Sequence, residues 1–192
     1  MSMISVEQLL KEADKLEQKE LFEQEITLLD DFLCKNKEKD SSLLTDLYIR
    51  LLYVLVHIVI DGIKMQHLGF NDRSKMFNTH FSKSFKLYEE NAEYLFYIGN
   101  LLYMSEVYVY YDVKQIEQIL NLAYTLDNSI LYKWGAINSK PRHRKDNRRL
   151  AQEILLKHDD VLINLRKKGI PGRYIINQLL TISGNSEGSI PR

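Results

Sequence analysis

Five histidines, His57, His67, His80, His143 and His158, and one cysteine, Cys34, have the widest chemical range in this 192-residue chain. No two of the histidines stand four apart, and HExxH is absent, so no helical metal pair announces itself. A single cysteine excludes a disulfide framework and a multi-thiolate zinc site, and it points to a reducing compartment. His57 lies inside the apolar run LLYVLVHIVI and reads as a core histidine bonded to a neighbour. His158, Asp159 and Asp160 carry metal-ligating groups, but consecutive helical residues point in different directions, so they read as a solvated face. Cys34, beside Phe32 and Leu33, reads as a small buried hydrophobe. GxSxG, GxGxxG and the P-loop pattern are absent, which removes the usual support for hydrolase, dinucleotide and nucleotide chemistry. Gly169-Ile170-Pro171-Gly172-Arg173 could hold an anion at a helix start; the simpler reading is one helix stopping and the next beginning. We therefore assign no catalytic residue, metal or cofactor from sequence.

Two clusters stand out instead. Tyr94, Phe96, Tyr97, Tyr103, Tyr108, Tyr110 and Tyr111 place seven aromatic rings within 18 residues. A tyrosine has a hydroxyl to satisfy, so Tyr97, Tyr103, Tyr108, Tyr110 and Tyr111 are candidates for a partner-binding face, against ordinary packing between helices. Arg142, His143, Arg144, Lys145, Arg148 and Arg149 form a basic segment. Arg142, Arg144, Lys145, Arg148 and Arg149 are candidate contacts to a carboxylate-rich protein or to phosphates, unless they meet acidic groups of the same fold.

The elements that position these residues are read from periodicity. Ser5 and Gln8 match a capping box, followed by Leu9, Ala13 and Leu16 at helical spacing. Phe22, Ile26, Leu29 and Leu33 continue the stripe, as the second arm of a hairpin or as one long helix. Residues 43–63 are apolar on all sides, which marks a central element; helix is favoured, with a strand over 52–60 as the alternative. Phe77, Phe81, Phe85 and Tyr88 form one helical stripe from about Arg73. Further helices follow over 92–103, from Asp112 to Leu126, over 130–137, through Leu150 to Leu165, and from Pro171 to Ile182. Residues 107–111 have strand propensity or extend a helix. The expected fold is all-α, with seven or eight helices in a single domain over 1–182. Residues 183–192, rich in Ser, Gly and Pro, read as a disordered tail.

The stretch from Asn91 to Ser129 places Gly99 inside one helix and Ala123 inside a second, with an Asp-Asn turn after it. It resembles a tetratricopeptide repeat, in which small residues let paired helices approach. Asn128 stands where the family has Pro, and about five extra residues around 107–111 separate the two helices. The resemblance implies a right-handed helical array with a concave partner-binding face in about half of the chain, and it assigns no activity. In style the chain also resembles bacterial toxin-neutralising immunity proteins, which implies one protein partner.

The 26 basic and 26 acidic residues cancel. The cancellation is uneven: residues 1–40 carry −5, 41–132 carry −3, and 133–173 carry +8. Such separation bears on partners. The apolar run Leu51–Ile60 is too short to span a bilayer, and the first residues lack the basic-then-apolar order of a secretory signal, so a cytoplasmic location is expected. The leading function is non-enzymatic protein binding, most sharply an immunity-type inhibitor that binds and neutralises a toxin. If that toxin is a nuclease, the acidic face of residues 7–40 would mimic nucleic acid. The alternative is a nucleic-acid-binding regulator using residues 142–149.

Overall fold

The computed structural model describes residues 5–36, 42–105, 108–109, 111–140 and 143–184, with the side chains of residues 42 and 43 left aside. These residues form ten helices: α1 (Val6–Gln18), α2 (Phe22–Lys35), α3 (Ser42–Ile60), α4 (Phe70–Leu87), α5 (Ala92–Leu102), α6 (Val113–Leu126), α7 (Ile130–Asn138), α8 (Arg144–Lys157), α9 (Asp159–Arg166) and α10 (Ile170–Ser183). The fold is all-α, and no strand occurs among the described residues. No helix among them is long and apolar enough to cross a membrane.

Ten helices exceed the seven or eight expected, because two breaks carry no conventional signal. The first separates α1 from α2. Glu20 adopts φ 57°, a left-handed conformation that usually belongs to glycine. The Leu21 amide closes back onto the Leu16 carbonyl at 2.9 Å. The second break is at His158, which ends α8 and precedes α9 with φ −123°, ψ 64°. Several of the other helices begin with the expected signals. Ser5 with Gln8, and Asp112 with Gln115, form reciprocal capping boxes. Ser129 caps α7, accepting from the Tyr132 amide, and Gly169 at φ 65° precedes Pro171 in α10.

The helices group into two compact units. The first holds α1–α4 together with residues 108 and 109; the second holds α5–α10. In the first unit α3 is the centre. Every residue from Leu47 to Val56 is buried, and the strand alternative for 52–60 gives way to continuous helix. α2 and α4 pack on α3, and α1 packs on both α2 and α3. Tyr108 is also buried here. Its ring stacks on Phe77 at 5.0 Å, and its hydroxyl donates to the Leu55 carbonyl at 2.9 Å.

In the second unit α5 is the buried helix, with every side chain from Tyr94 to Leu102 enclosed. α6 lies against it through Ile116, Ile119, Leu120 and Ala123, while Leu126, which the stripe assigns to the same face, is exposed in the last turn. A Cβ on Gly99 would lie 2.6 Å from Leu120, so glycine sets the close approach of α5 and α6. A Cβ on Gly135 would meet Phe96 at 2.8 Å. Each helix then packs on its sequence neighbour through α8, and α10 closes against α8 and α9. Glycine at 172 is obligatory, because a Cβ there would fall 1.7 Å from the Leu165 carbonyl oxygen. Of residues 183–192, read as a tail, Ser183 instead ends α10 and is buried, Gly184 caps that helix, and residues 185–192 lie outside the described residues.

Candidate functional site

The first unit is organised around one buried cation. Arg50 sits in the middle of α3 with its side chain only 3% exposed. Its Nε donates to Glu25 Oε1 at 2.7 Å, Nη2 to Glu17 Oε2 at 2.7 Å and Nη1 to Asp14 Oδ1 at 2.6 Å. Two of these carboxylates come from α1 and one from α2, so a single guanidinium ties α1, α2 and α3 together. Burial pushes the Glu25 carboxyl up to about 7 despite the opposing pull of Arg50, and Glu17 and Asp14 push it further in the same direction. For Arg50, burial lowers the guanidinium, but the surrounding carboxylates outweigh it and the net shift is upward. Glu25 Oε2 is buried and has no hydrogen-bond partner. Three carboxylates around one cation leave the cluster in negative excess, which proton uptake by Glu25 relieves.

Fixing α2 in this way presents its other face to a groove. The Glu23 carboxylate accepts from the Gln66 amide at 3.1 Å and the His67 amide at 2.7 Å, which holds the connection between α3 and α4 against α2. Between them lies an open groove of about 750 Å³. Leu21, Phe22, Leu28, Ile63 and Met65 supply its apolar lining, and Glu20, Glu23 and Asp31 supply carboxylates, opposed by Lys64 and His67. Leu21 is exposed, whereas Leu29 and Leu33 of the helix it precedes turn inward. Ile60 and Phe70, at the two ends of the connection, are also exposed. Apolar side chains flanked by a majority of carboxylates suit a polypeptide segment better than a small neutral ligand.

The residues singled out from sequence fall in different places. Tyr97 is buried in α5 and Tyr108 is buried in the first unit, so both pack internally. Tyr103 is exposed and its hydroxyl donates to the Ser139 carbonyl at 3.2 Å. Tyr111 is half-buried, and Tyr110 lies outside the described residues. Of the described tyrosines in this set, Tyr103 and Tyr111 reach solvent, and Tyr97 and Tyr108 do not. Arg144, Lys145, Arg148 and Arg149 are all exposed in the first two turns of α8; Arg142 lies outside the described residues. Arg144 and Arg148, with Lys140, line a second opening of about 420 Å³. Arg148 Nε also donates to the Ser183 carbonyl at 3.2 Å, and Arg149 faces Asp146 at 3.7 Å.

No protein-family model, curated protein or solved structure matches this chain. The site is accordingly read from its own geometry.

The histidines divide as well. His57 is half-buried, bonded through Nδ1 to Asp61 at 3.1 Å and set edge-on to Phe22, as a histidine serving packing would be. Asp159 and Asp160 are exposed in the first turn of α9, where they complement the helix dipole. Cys34, in contrast to the buried position expected from its neighbours, is exposed. Leu33 takes the inward position, and one residue further round the helix turns about 100° away from the core. Cys34 lies one turn from Asp30, and both lie beside His80 of α4; among the described residues these three form a set whose donor atoms lie within 4.8 Å of one another. Sequence reasoning missed this set and the groove. The i,i+4 spacing of Asp30 and Cys34 was visible, but His80 is 50 residues from Asp30 and only packing brings it there.

Proposed function

We propose that this protein is a non-enzymatic protein-binding module, and that the groove between α2 and the 61–69 connection receives a basic, apolar-bearing segment of another protein. The observation that carries the reading is the combination of an apolar lining with Glu20, Glu23 and Asp31 in a groove of about 750 Å³. The charge of the N-terminal region points the same way, since residues 1–40 carry −5. A negative surface speeds encounter with a basic partner and disfavours acidic ones. The sharper version is an immunity-type inhibitor, in which the acidic unit masks a basic toxin surface in the cytoplasm. For the second unit, the close approach that Gly99 allows against Leu120, with Ala123 buried beside it, supports a tetratricopeptide-like hairpin of α5 and α6.

The test is a photo-crosslinking residue at Leu28 or Met65, used in the native cell with nuclease added during purification. The expected result is one stoichiometric protein adduct that is lost with Glu20→Lys plus Asp31→Lys. An adduct indifferent to that reversal, or none, rejects the groove. A second reading, nucleic-acid binding, rests on Lys140, Arg144 and Arg148 lining one opening beside the exposed Lys145 and Arg149. It predicts binding that falls steeply with salt and is lost in Arg148→Ala plus Arg149→Ala.

A further inference from the structure

Asp30 and Cys34 stand one turn apart on α2, and His80 reaches them from α4. His80 Nε2 is 2.6 Å from Asp30 Oδ1, and Cys34 Sγ is 3.4 Å from the same oxygen. His80 belongs to the helix that also carries Phe77 and Phe81, and its side chain is 6% exposed. Phenylalanine would serve packing at such a position without a polar atom to satisfy. The imidazole has one ring nitrogen turned to Asp30, while its buried Nδ1 has no hydrogen-bond partner. Its ring leans on Tyr48 at 5.8 Å, which holds it in place by packing. At 2.6 Å from a carboxylate, Nε2 needs a cation between the two acceptors, either a proton or a metal ion.

We propose that Asp30, Cys34 and His80 form a site for a borderline-soft divalent metal ion of the zinc class. The donor set is one thiolate, one imidazole and one carboxylate, which suits Zn²⁺ and not Mg²⁺ or Ca²⁺, whose sites are built from oxygen. Ligand bonds of about 2.0–2.3 Å in a tetrahedron place donors about 3.3–3.7 Å apart. The separation of Cys34 from Asp30 already fits, and the separation of Asp30 from His80 must open by less than about 1 Å. The charges balance: thiolate and carboxylate together neutralise a dication. Binding releases the Cys34 thiol proton to solvent, while His80 coordinates as a neutral imidazole through Nε2 with its proton on Nδ1, so affinity rises with pH. Three donors leave a fourth position for water or for a donor from elsewhere. Because Cys34 is exposed and Asp30 is half-buried, that position faces the outer edge of the first unit. The inference is independent of the groove.

The experiment uses the full chain, stripped with a chelator and titrated with Co²⁺ as an optical probe. The expected result is saturation at one equivalent, with a thiolate-to-cobalt charge-transfer band and tetrahedral visible bands that one equivalent of Zn²⁺ abolishes. Zn²⁺ should also slow the reaction of Cys34 with a thiol reagent at least tenfold. Cys34→Ser removes the charge-transfer band, and His80→Gln weakens Co²⁺ binding at least tenfold. Asp30→Asn, at a half-buried position, does the same if His80→Gln fails to fold. A folded wild-type chain without the band, a thiol reactivity unchanged by Zn²⁺, or a band that survives both His80→Gln and Asp30→Asn overturns the site. Those results would leave an Asp–His hydrogen bond beside a bystander thiol.

Discussion

Replacing Arg50 with methionine should destabilise the first unit severely, and the loss should depend on pH. The Glu17 and Glu25 side chains are 3% and 0% exposed, so removing the guanidinium strands two carboxylates away from water. Breaking a buried ion pair from one side costs about 3–5 kcal/mol, a large part of the 5–15 kcal/mol that holds a typical domain together. The stranded groups escape by taking up protons. Each carboxylate that must be neutralised in the variant but not in the parent adds about 1.4 kcal/mol for every pH unit above its ordinary range. With one such group, the deficit at pH 7.5 should shrink by about 3 kcal/mol at pH 5.5. The assay is urea unfolding followed by far-ultraviolet circular dichroism at both pH values. Trp134 fluorescence is unsuited, because that residue belongs to the second unit. A variant within about 1 kcal/mol of the parent at pH 7.5, or a deficit that does not shrink at pH 5.5, would refute the view that Arg50 compensates buried charge.

Glu25→Gln probes the same cluster from the other side. The Glu25 carboxyl is raised from 4.5 to about 7 in the fold, so its contribution is fully present below about 4.5 and drains as pH rises through 7. Relative to Glu25→Gln, the parent should lose about 2–3 kcal/mol between pH 5 and pH 8, and a pH-independent difference would contradict the raised carboxyl. Gly172→Ala should cost at least about 3 kcal/mol, or leave α10 undocked, because its Cβ meets a backbone carbonyl that cannot rotate aside. Urea unfolding read by Trp134 fluorescence checks this, and stability within about 1 kcal/mol of the parent would show that α9 and α10 can separate freely.

What was legible in the sequence was local. Ser5, Asp112 and Ser129 each cap the helix they were expected to open, because a cap is decided by side chains within three residues of it. The all-round apolar character of α3 correctly marked it as central, since burial on every side removes the polar face. The sequence leaves a hairpin break near Lys19–Glu20 and one long helix both open, because a left-handed glutamate resembles any exposed helical residue in sequence. Arg50 looked like the polar flank of an apolar run. Its role depends on Asp14, Glu17 and Glu25, which are 25 to 36 residues away. Cys34 was misplaced by the company of Phe32 and Leu33, although neighbours on a helix face different ways. The opposition of acidic and basic regions was legible as arithmetic, but not its resolution. Three of the N-terminal carboxylates are spent on Arg50 inside their own unit, while Glu20 and Asp31 remain exposed at the groove.

The central claim is that the acidic groove, and not the basic helix, takes the partner. The direct measurement is the affinity of the co-purified partner for three proteins: the parent, Glu20→Lys plus Asp31→Lys, and Arg148→Ala plus Arg149→Ala. The account predicts at least tenfold weaker binding for the groove variant, about 1.4 kcal/mol or more, with the α8 variant unchanged. Loss of binding in the α8 variant alone, with the groove variant at parental affinity, would contradict it.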